Sequence, residues 1–533
     1  MNWRTITTLV AGALAAGAAQ AQPEKPGGIW EGCGGDVRPS GMSKFMVGPK
    51  MAAAYQPKTP PTVTIEQCTA ALDALGAAAP WQSRAAFLRS RARAYVAEMK
   101  PDQALADLAA IRAIEQSDPV YARSFGLSLT MLRAIALIQK QDFDGAVAAA
   151  EAAMAQRPFS DRIAMFAFRV MTAAGGHAEA RRKLLDRLVR DEPDMLQLRA
   201  IERMADADWT GAAKDWLRVT PAPGMPSTTY IQLPNVRVTG APGIPLTDID
   251  EARAGRAALA FAMAGMTDKA KEVLATARAG LAKPLEPPAF LKGIKAGLPA
   301  PDRGKTLDRW SVLVDAAIAW RAGQTAQATD LIKRLDWTRA DQIELAFLKA
   351  TGQGGGAIAD PKAAIALLEA ERTQRLRARF RPDELLGELP DHEEGSKTNP
   401  YRKSVMFLRA SGFRVEPSKS GFGTDIHMFG DKLTALAVSE MALLRAADMA
   451  LAEGKGGFVI TDRRGYRQTM QQTIYGNPIG PVANAGNGVD LTVAAVDAAN
   501  MPPQLQGSED RVFDARAVRD ALAPLYAAAP PAK

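Results

Sequence analysis

Residues 134–158 read AIALIQKQDFDGAVAAAEAAMAQRP, and this stretch decides the fold. Small residues at helical spacing let two paired helices approach closely, and a proline at the end stops the second helix because it lacks an N–H group. The stretch therefore predicts two helices joined by a short turn. The positions that carry the pattern are Ala134, Leu137, Phe143, Ala146, Ala153 and Pro158.

The same arrangement recurs from about residue 85 to residue 370. Four units lie between about residues 82 and 221, two more follow after an insertion, and a seventh is weaker. The corresponding positions are Tyr95, Ala104 and Leu108 upstream, Ala180 and Leu184 and then Trp209, Ala212 and Trp216 downstream, Ala258, Phe261, Gly265, Ala270, Leu274 and Ala277 in the fifth unit, Ala316, Gly323, Ala328 and Ile332 in the sixth, and Ala364 and Leu368 in the seventh.

This spacing resembles the tetratricopeptide repeat over roughly half the chain, although the Trp and Gly of that family's first helix are mostly missing. The resemblance implies a mainly α fold with a helical repeat array at 63–380 and a curved surface that binds a protein or peptide. A hairpin-like insertion at 219–248, with strand-like stretches at 228–233 and 236–238, and a Pro- and Lys-rich linker at 281–305 interrupt the array. Another helical solenoid, or an irregular helical bundle, fits the same pattern.

The composition agrees with closely packed helices. Apolar residues make up 47% of the chain and aromatic residues only 6%, and much of the apolar share is Ala. The net charge of +8 comes from 66 basic and 58 acidic residues spread along the chain, which is typical of a solvated surface rather than a nucleic-acid stripe. We expect no nucleic-acid partner, while weak attraction to an anionic membrane or to peptidoglycan stays open.

Residues 1–21 have the features of a cleavable secretory signal peptide. Arg4 precedes an apolar run from Leu9 to Ala19, and Ala19, Gln20 and Ala21 form an Ala-x-Ala cleavage site. A membrane anchor is the alternative, but the run is about half the ~20 residues that span a bilayer. Residue 22 is Gln rather than Cys, which argues against a lipoprotein. We expect a periplasmic protein with no transmembrane segment, beginning with an extended lead-in at 22–62.

The chain has two cysteines, Cys33 and Cys68. An oxidising compartment favours a disulfide between them, which would stabilise the fold by about 3 to 4 kcal/mol through chain entropy. The alternative is that Cys68 is a small buried residue of a helix.

A small α/β (α+β) domain is predicted at 401–528, after a linker at 381–400 and before a tail at 529–533. We expect Asp514 to cap its last helix. The predicted strands are 424–429, 457–460, 469–475 and 489–496, and the predicted helices are 434–453 and 515–526.

Four segments of this domain carry a second resemblance: FGD at 429–431, ALLRAAD at 442–448, GFVI at 457–460 and VFDA at 512–515. They resemble a family of small, uncharacterised proteobacterial envelope proteins, often lipoproteins. The match covers about 100 residues and consists mainly of core positions. It implies an envelope location and brings no activity with it.

The usual catalytic motifs are missing. The three histidines, His177, His392 and His427, are far apart in sequence, which excludes a His-x-x-x-His zinc helix. The serine motifs of hydrolases and acyltransferases do not occur after the signal peptide. The sequence therefore predicts no catalytic residue, no metal and no cofactor.

Two groups of polar residues remain as candidate ligand-binding residues. Asp425 and His427 are two apart on a predicted strand and so share a face, where a histidine near a carboxylate can act as a base. Arg463, Arg464 and Arg467 follow a strand and can grip a carboxylate or phosphate with paired donors. The alternatives are an ordinary polar strand face for the first group and a charged hairpin turn for the second.

These observations favour an exported interaction or scaffold protein whose helical repeats bind a protein, a peptide or an envelope component. One alternative is a ligand-binding or enzymatic protein with its site in the C-terminal domain. A structural envelope protein that associates with itself is another. The sequence leaves the oligomeric state unknown.

Overall fold

The fold is taken from a computed structural model of the 533-residue chain. The predicted signal peptide and most of the predicted lead-in lie outside the described residues. These are residue 33 and residues 60–75, 79, 81–114, 123–219, 227–231, 244–248, 251–281, 303–337, 340–352, 361–378, 380–386, 389–390, 401–404, 411–430, 433–474 and 477–526.

The first part of the molecule is an array of helices, and the predicted fold class is confirmed. After α1 (Pro61–Ala74), six consecutive helix pairs follow, each joined by a turn of three residues. The pairs are α2 (Trp81–Ala97) with α3 (Pro101–Ile114), α4 (Phe125–Gln139) with α5 (Phe143–Gln156), α6 (Asp161–Ala174) with α7 (Ala178–Asp191), α8 (Met195–Ala205) with α9 (Trp209–Arg218), α10 (Glu251–Met263) with α11 (Thr267–Leu281), and α12 (Arg303–Arg321) with α13 (Thr325–Lys333).

Five of the six turns share one backbone geometry. Each of the five contains one residue with positive φ, and the N–H of its last residue donates to a carbonyl five residues earlier, which closes the end of the first helix. This repetition shows that the pairs are structural repeats even where the consensus glycine is absent. The residues with positive φ are Met99, Gln141, Ala207, Gly265 and Gly323, and the five bonds are Lys100 to Tyr95, Asp142 to Leu137, Asp208 to Arg203, Met266 to Phe261 and Gln324 to Ala319. The turn between α6 and α7 differs, because Gly175, Gly176 and His177 all have positive φ and it lacks this bond.

The chain then runs back along the array. Helix α14 (Gln342–Thr351) contacts α8, α15 (Pro361–Ala378) contacts α6, and α16 (Pro382–Leu386) contacts α2 and α4. We call the stretch from α14 to residue 390 the return segment. These four helices are all first helices of their pairs, so the return segment lies mainly on the first-helix side of the array, although Arg377 of α15 also contacts Phe143 at the start of α5.

The return segment corrects two predictions. A linker was expected from residue 381, yet Leu385, Leu386 and Leu389 are buried in the core formed by α2, α4 and α6. Arg89 of α2 donates a hydrogen bond to the carbonyl of Pro390 at 3.0 Å. The expected seventh repeat is also different, because its helix α15 crosses earlier helices instead of extending the array. The side chains of its predicted positions, 364 and 368, lie outside the described residues.

The insertion between α9 and α10 contains a two-stranded antiparallel ladder, but its second strand is not the one that the hairpin-like pattern predicted. Strand β1 (Ser227–Ile231) pairs with β2 (Ile244–Asp248), with Thr229 opposite Leu246. The stretch 236–238, which the sequence favoured as the second strand, lies outside the described residues.

The C-terminal domain is a five-stranded antiparallel sheet with helices on one face. Its strands are β3 (Gly412–Pro417), β4 (Thr424–Gly430), β5 (Gly457–Ile474), β6 (Asn477–Val496) and β7 (Phe513–Asp514), in the spatial order β3-β4-β6-β5-β7. Helices α17 (Ala435–Ala452) and α18 (Ala515–Tyr526) pack together, and α17 lies against the sheet. Asp514 accepts a hydrogen bond from the N–H of Ala517, so the expected cap of α18 is present.

Alternation along the strands explains this packing. Ile426, Met428, Val489 and Leu491 point toward α17 and are buried, while the residues between them point to the other face.

Within the described part of the chain, no helix has both the length and the apolar character that crossing a bilayer requires.

Candidate functional site

The two cysteines are joined in a disulfide between Cys33 and Cys68. Both are buried, in a small cluster with Ala71 of α1 and Phe87 of α2. The sequence left open whether Cys33 and Cys68 form a disulfide or Cys68 is an unpaired buried residue, and the structure contains the disulfide. The disulfide fixes part of the lead-in against the first helices of the array.

Asp425 and His427 share the outer face of the sheet, as their spacing predicted, but they do not contact each other through hydrogen bonds. Asp425 accepts a hydrogen bond from the hydroxyl of Thr492 at 2.7 Å. The carboxylates beside His427 come from neighbouring strands. Asp490 lies 2.8 Å from Nδ1 and Glu416 lies 3.1 Å from Nε2.

Both ring nitrogens of His427 are occupied by neighbouring side chains. Each ring nitrogen of His427 faces a carboxylate, and an ionised carboxylate can only accept a hydrogen bond. A general base needs a free lone pair on one nitrogen, so a substrate would have to displace Glu416 or Asp490 first. Whether this face binds a ligand stays a prediction.

The three arginines are not brought together. Instead of following a strand, residues 462–467 lie inside β5, and a β-bulge between Ile460 and Asp462 changes which side chains face α17. Arg464 pairs with Asp490 in the ladder on the outer face and is exposed, whereas Arg463 faces α17 and the helical array. Arg467 pairs with Asn487, and its side chain lies outside the described residues.

Arg463 forms part of the contact between the C-terminal domain and the array. Its guanidinium lies 2.7 Å from Asp161 at the start of α6, 3.8 Å from Asp191 at the end of α7, and 3.1 Å from Glu192. Only 3% of the Arg463 side chain is exposed, and it also donates to the hydroxyl of Ser439 on α17. We call these four charged residues the Arg463 joint.

A second contact between the two parts has the opposite charge balance. Glu440 of α17 accepts hydrogen bonds from Arg157 at 2.9 and 3.1 Å, from Arg123 at 2.7 Å and from the hydroxyl of Tyr526 at 2.5 Å. The side chains of Arg157 and Glu440 are completely buried. Burial alone would raise the pKa of Glu440, but the two arginines and the tyrosine outweigh it and lower the pKa. We call these four residues the Glu440 joint.

A third contact lies at the short turn Glu509–Arg511. Asp510 pairs with Arg199 at 2.6 Å and with Arg218 at 2.7 Å, and both arginines also bind Asp215 of α9. Burial favours the neutral form of Asp510, but the two arginines lower its pKa to about 2. Three separate contacts therefore hold the C-terminal domain on the part of the array between Arg123 and Arg218.

A groove of about 610 Å³ lies elsewhere on the array, between the second helices α5 and α7. Its lining combines apolar side chains with charged ones of both signs. The return segment contacts mainly first helices, whereas this groove is lined mainly by second helices. The lining side chains used below are Glu151 and Met154 of α5, Met171 of α6, and Lys183, Leu184 and Arg187 of α7.

Among the described residues, no group of three or more His, Cys, Asp or Glu side chains is arranged to hold a metal ion. Comparison with known proteins found no matching family, no matching curated protein and no matching solved structure.

None of the residues that pair with the candidate residues Asp425, His427 and Arg463 was predicted from the sequence. Glu416 and Asp490 flank His427 only because three strands align in register, and Asp161, Asp191 and Glu192 reach Arg463 only because the domain docks on the array. The alternation of apolar residues at 489, 491 and 493 was a usable signal that Asp490 faces the same way as His427.

Proposed function

We propose that the chain is an exported interaction protein of the periplasm, related in architecture to tetratricopeptide-repeat proteins, which binds a protein or peptide through its helix pairs. The sequence supports export through the signal peptide at 1–21. The disulfide between Cys33 and Cys68 supports it further, because such bonds persist in oxidising compartments.

The observation that carries the proposal is the contrast between the two sides of the array. Near α2 to α8 the first-helix side is covered by the chain's own return segment, so a partner cannot lie there without displacing it. The groove between α5 and α7 is open. We therefore propose that the second-helix side is the binding surface.

The lining of the groove suggests the kind of partner. Met154, Met171 and Leu184 provide apolar contacts, and methionine side chains adapt to differently shaped partners. Lys183 and Glu151 at the groove are exposed and offer charges of both signs. A peptide or protein segment with an apolar stripe and mixed charges fits this lining.

Site-specific photo-crosslinking in intact cells tests the proposal. A photoreactive residue replaces Lys183 in one strain and Glu272 in another, because Glu272 is exposed and holds the same position, the sixth, in the second helix α11. We expect a discrete adduct from position 183 and none from position 272. Met154→Glu should remove the adduct, because it places a charge against the apolar part of the groove.

The proposal fails if position 183 gives no adduct, or if both positions give the same adducts in similar yield. In either case the photoreactive residue should be moved to Arg464, on the outer face of the C-terminal sheet. A discrete adduct there would favour the alternative in which the C-terminal domain carries the binding site.

A further inference from the structure

The Arg463 joint contains more buried negative charge than its single guanidinium can neutralise. Arg463 Nη1 and Asp191 Oδ1 are both buried, lie 3.8 Å apart and have no hydrogen-bond partner. Asp161 Oδ1 is close to Arg463 Nη2, at 2.7 Å, but off the direction of its N–H bond. A buried carboxylate oxygen without a directed donor is costly, and a proton on one carboxyl group would reduce both the charge and the repulsion.

The pKa values of the acids follow from this balance. Burial raises the pKa of Asp191 to about 7 against the attraction of Arg463, and the nearby Asp161 raises it further. Burial likewise raises the pKa of Glu192 to about 7, again opposed by Arg463. Arg463 itself stays charged, because the three carboxylates outweigh the effect of its own burial and raise its pKa. One guanidinium thus keeps its proton while two of its three partners titrate near neutrality.

We propose that the Arg463 joint is a proton-sensitive contact that holds the C-terminal domain more tightly on the helical array as the pH falls from about 7.5 to 5.5. The two states are the docked domain and a state in which α7 and β5 separate locally. Docking buries Asp191 and Glu192, and separation returns them to water. The difference in proton binding between these states makes docking depend on pH.

Other charged groups around the two acids modify this response without reversing it. Asp161 of α6 and Asp194 beside α8 favour protonation of the acids, and Arg187 and Arg190 of α7 oppose it. From the C-terminal domain, Glu440 of α17 faces Arg187. Their combined effect is included in the pKa of about 7 that both acids reach.

The sign follows from the proton count. In the separated state Asp191 and Glu192 titrate near the ordinary pKa of about 4, so between about pH 4 and pH 7 the docked state binds more protons. Docking therefore strengthens as the pH falls through this range and weakens as it rises. Asp510, whose pKa is about 2, and Glu440, whose pKa is lowered, respond in the opposite direction, but at a more acidic pH.

Hydrogen–deuterium exchange of the full chain tests the proposal at pH 5.5 and pH 7.5, with exchange times scaled to the intrinsic amide rate. The peptides to follow cover the end of α7 and the segment of β5 around Arg463. In the native chain we expect protection at least about tenfold greater at pH 5.5, because each proton taken up on docking contributes up to about tenfold per pH unit.

The double variant Asp191→Asn, Glu192→Gln carries neutral side chains of similar shape and should show the higher protection at both pH values. The control Asp330→Asn changes an exposed acid of α13 and should keep the native pH dependence. If the double variant does not fold, Glu192→Gln alone should remove about half of the logarithmic effect. The proposal is overturned if the protection of the native chain does not change with pH. It is also overturned if the double variant, or Glu192→Gln in its place, keeps the full native pH dependence.

Discussion

The Arg463 joint and the Glu440 joint use the same chemistry in opposite proportions. In the Arg463 joint three carboxylates surround one guanidinium, while in the Glu440 joint two guanidinium groups and a hydroxyl surround one carboxylate. Both connect the C-terminal domain to the array and both are largely buried. The proportion of donors to acceptors therefore decides the charge balance at neutral pH. The carboxylate of the Glu440 joint is fully hydrogen-bonded and neutralised, whereas the Arg463 joint holds negative charge that is not neutralised.

The Glu440 joint should be the larger contributor to stability, and replacing its buried arginine tests this. Arg157→Met leaves Glu440 buried with fewer donors, so we expect the free energy of unfolding to fall by about 3 to 5 kcal/mol. Urea titration at pH 7.5 measures the change through the transition midpoint.

Arg123→Met is the matched control within the same joint. The Arg123 side chain is 20% exposed and makes one contact with Glu440, so its replacement should cost only about 1 kcal/mol. Equal losses for the two variants would show that burial of the Arg157 pair does not determine its contribution.

The Asp510 contact provides an acid-sensitive reference for the comparison. Its carboxylate has a folded pKa of about 2, below the ordinary value, so its contribution is complete above about pH 4 and is lost as the pH falls toward 2. Because Asp510 is 42% exposed, solvent screening reduces this contribution to about 1 kcal/mol. Asp510→Asn should remove that amount at pH 7 and leave unfolding less sensitive to pH between 4 and 2.

The sequence predicted the helical pairs because their pattern is local. Small residues at Ala134, Ala146 and Ala153 are all completely buried, as the spacing required. The alternation of β4 placed Asp425 and His427 on one face for the same reason. Features that repeat within one helix or strand can be predicted from the sequence without knowledge of the fold.

The joints could not be predicted because they depend on contacts between distant parts of the chain. Arg157 and Glu440 are 283 residues apart, and nothing near either residue indicates the other. The side to which Arg463 points depends on the bulge after Ile460, which shifts the alternation of β5. Only the end of the return segment, from residue 381, was predicted to be a linker, because its three buried leucines occupy only a short helix and the residues just after it.

The most direct measurement compares the same chemical change, carboxylate to amide, in the two joints. Urea titration at pH 7.5 measures the free energy of unfolding of the native chain and of the variants Glu440→Gln and Asp191→Asn. Glu440→Gln should lower the free energy of unfolding by about 2 to 4 kcal/mol, because the buried Arg157 and the partly exposed Arg123 lose their counter-charge. Asp191→Asn should change it by less than about 0.5 kcal/mol or raise it, because it removes negative charge that is only partly neutralised. Similar losses in both variants would contradict the account of two oppositely balanced joints.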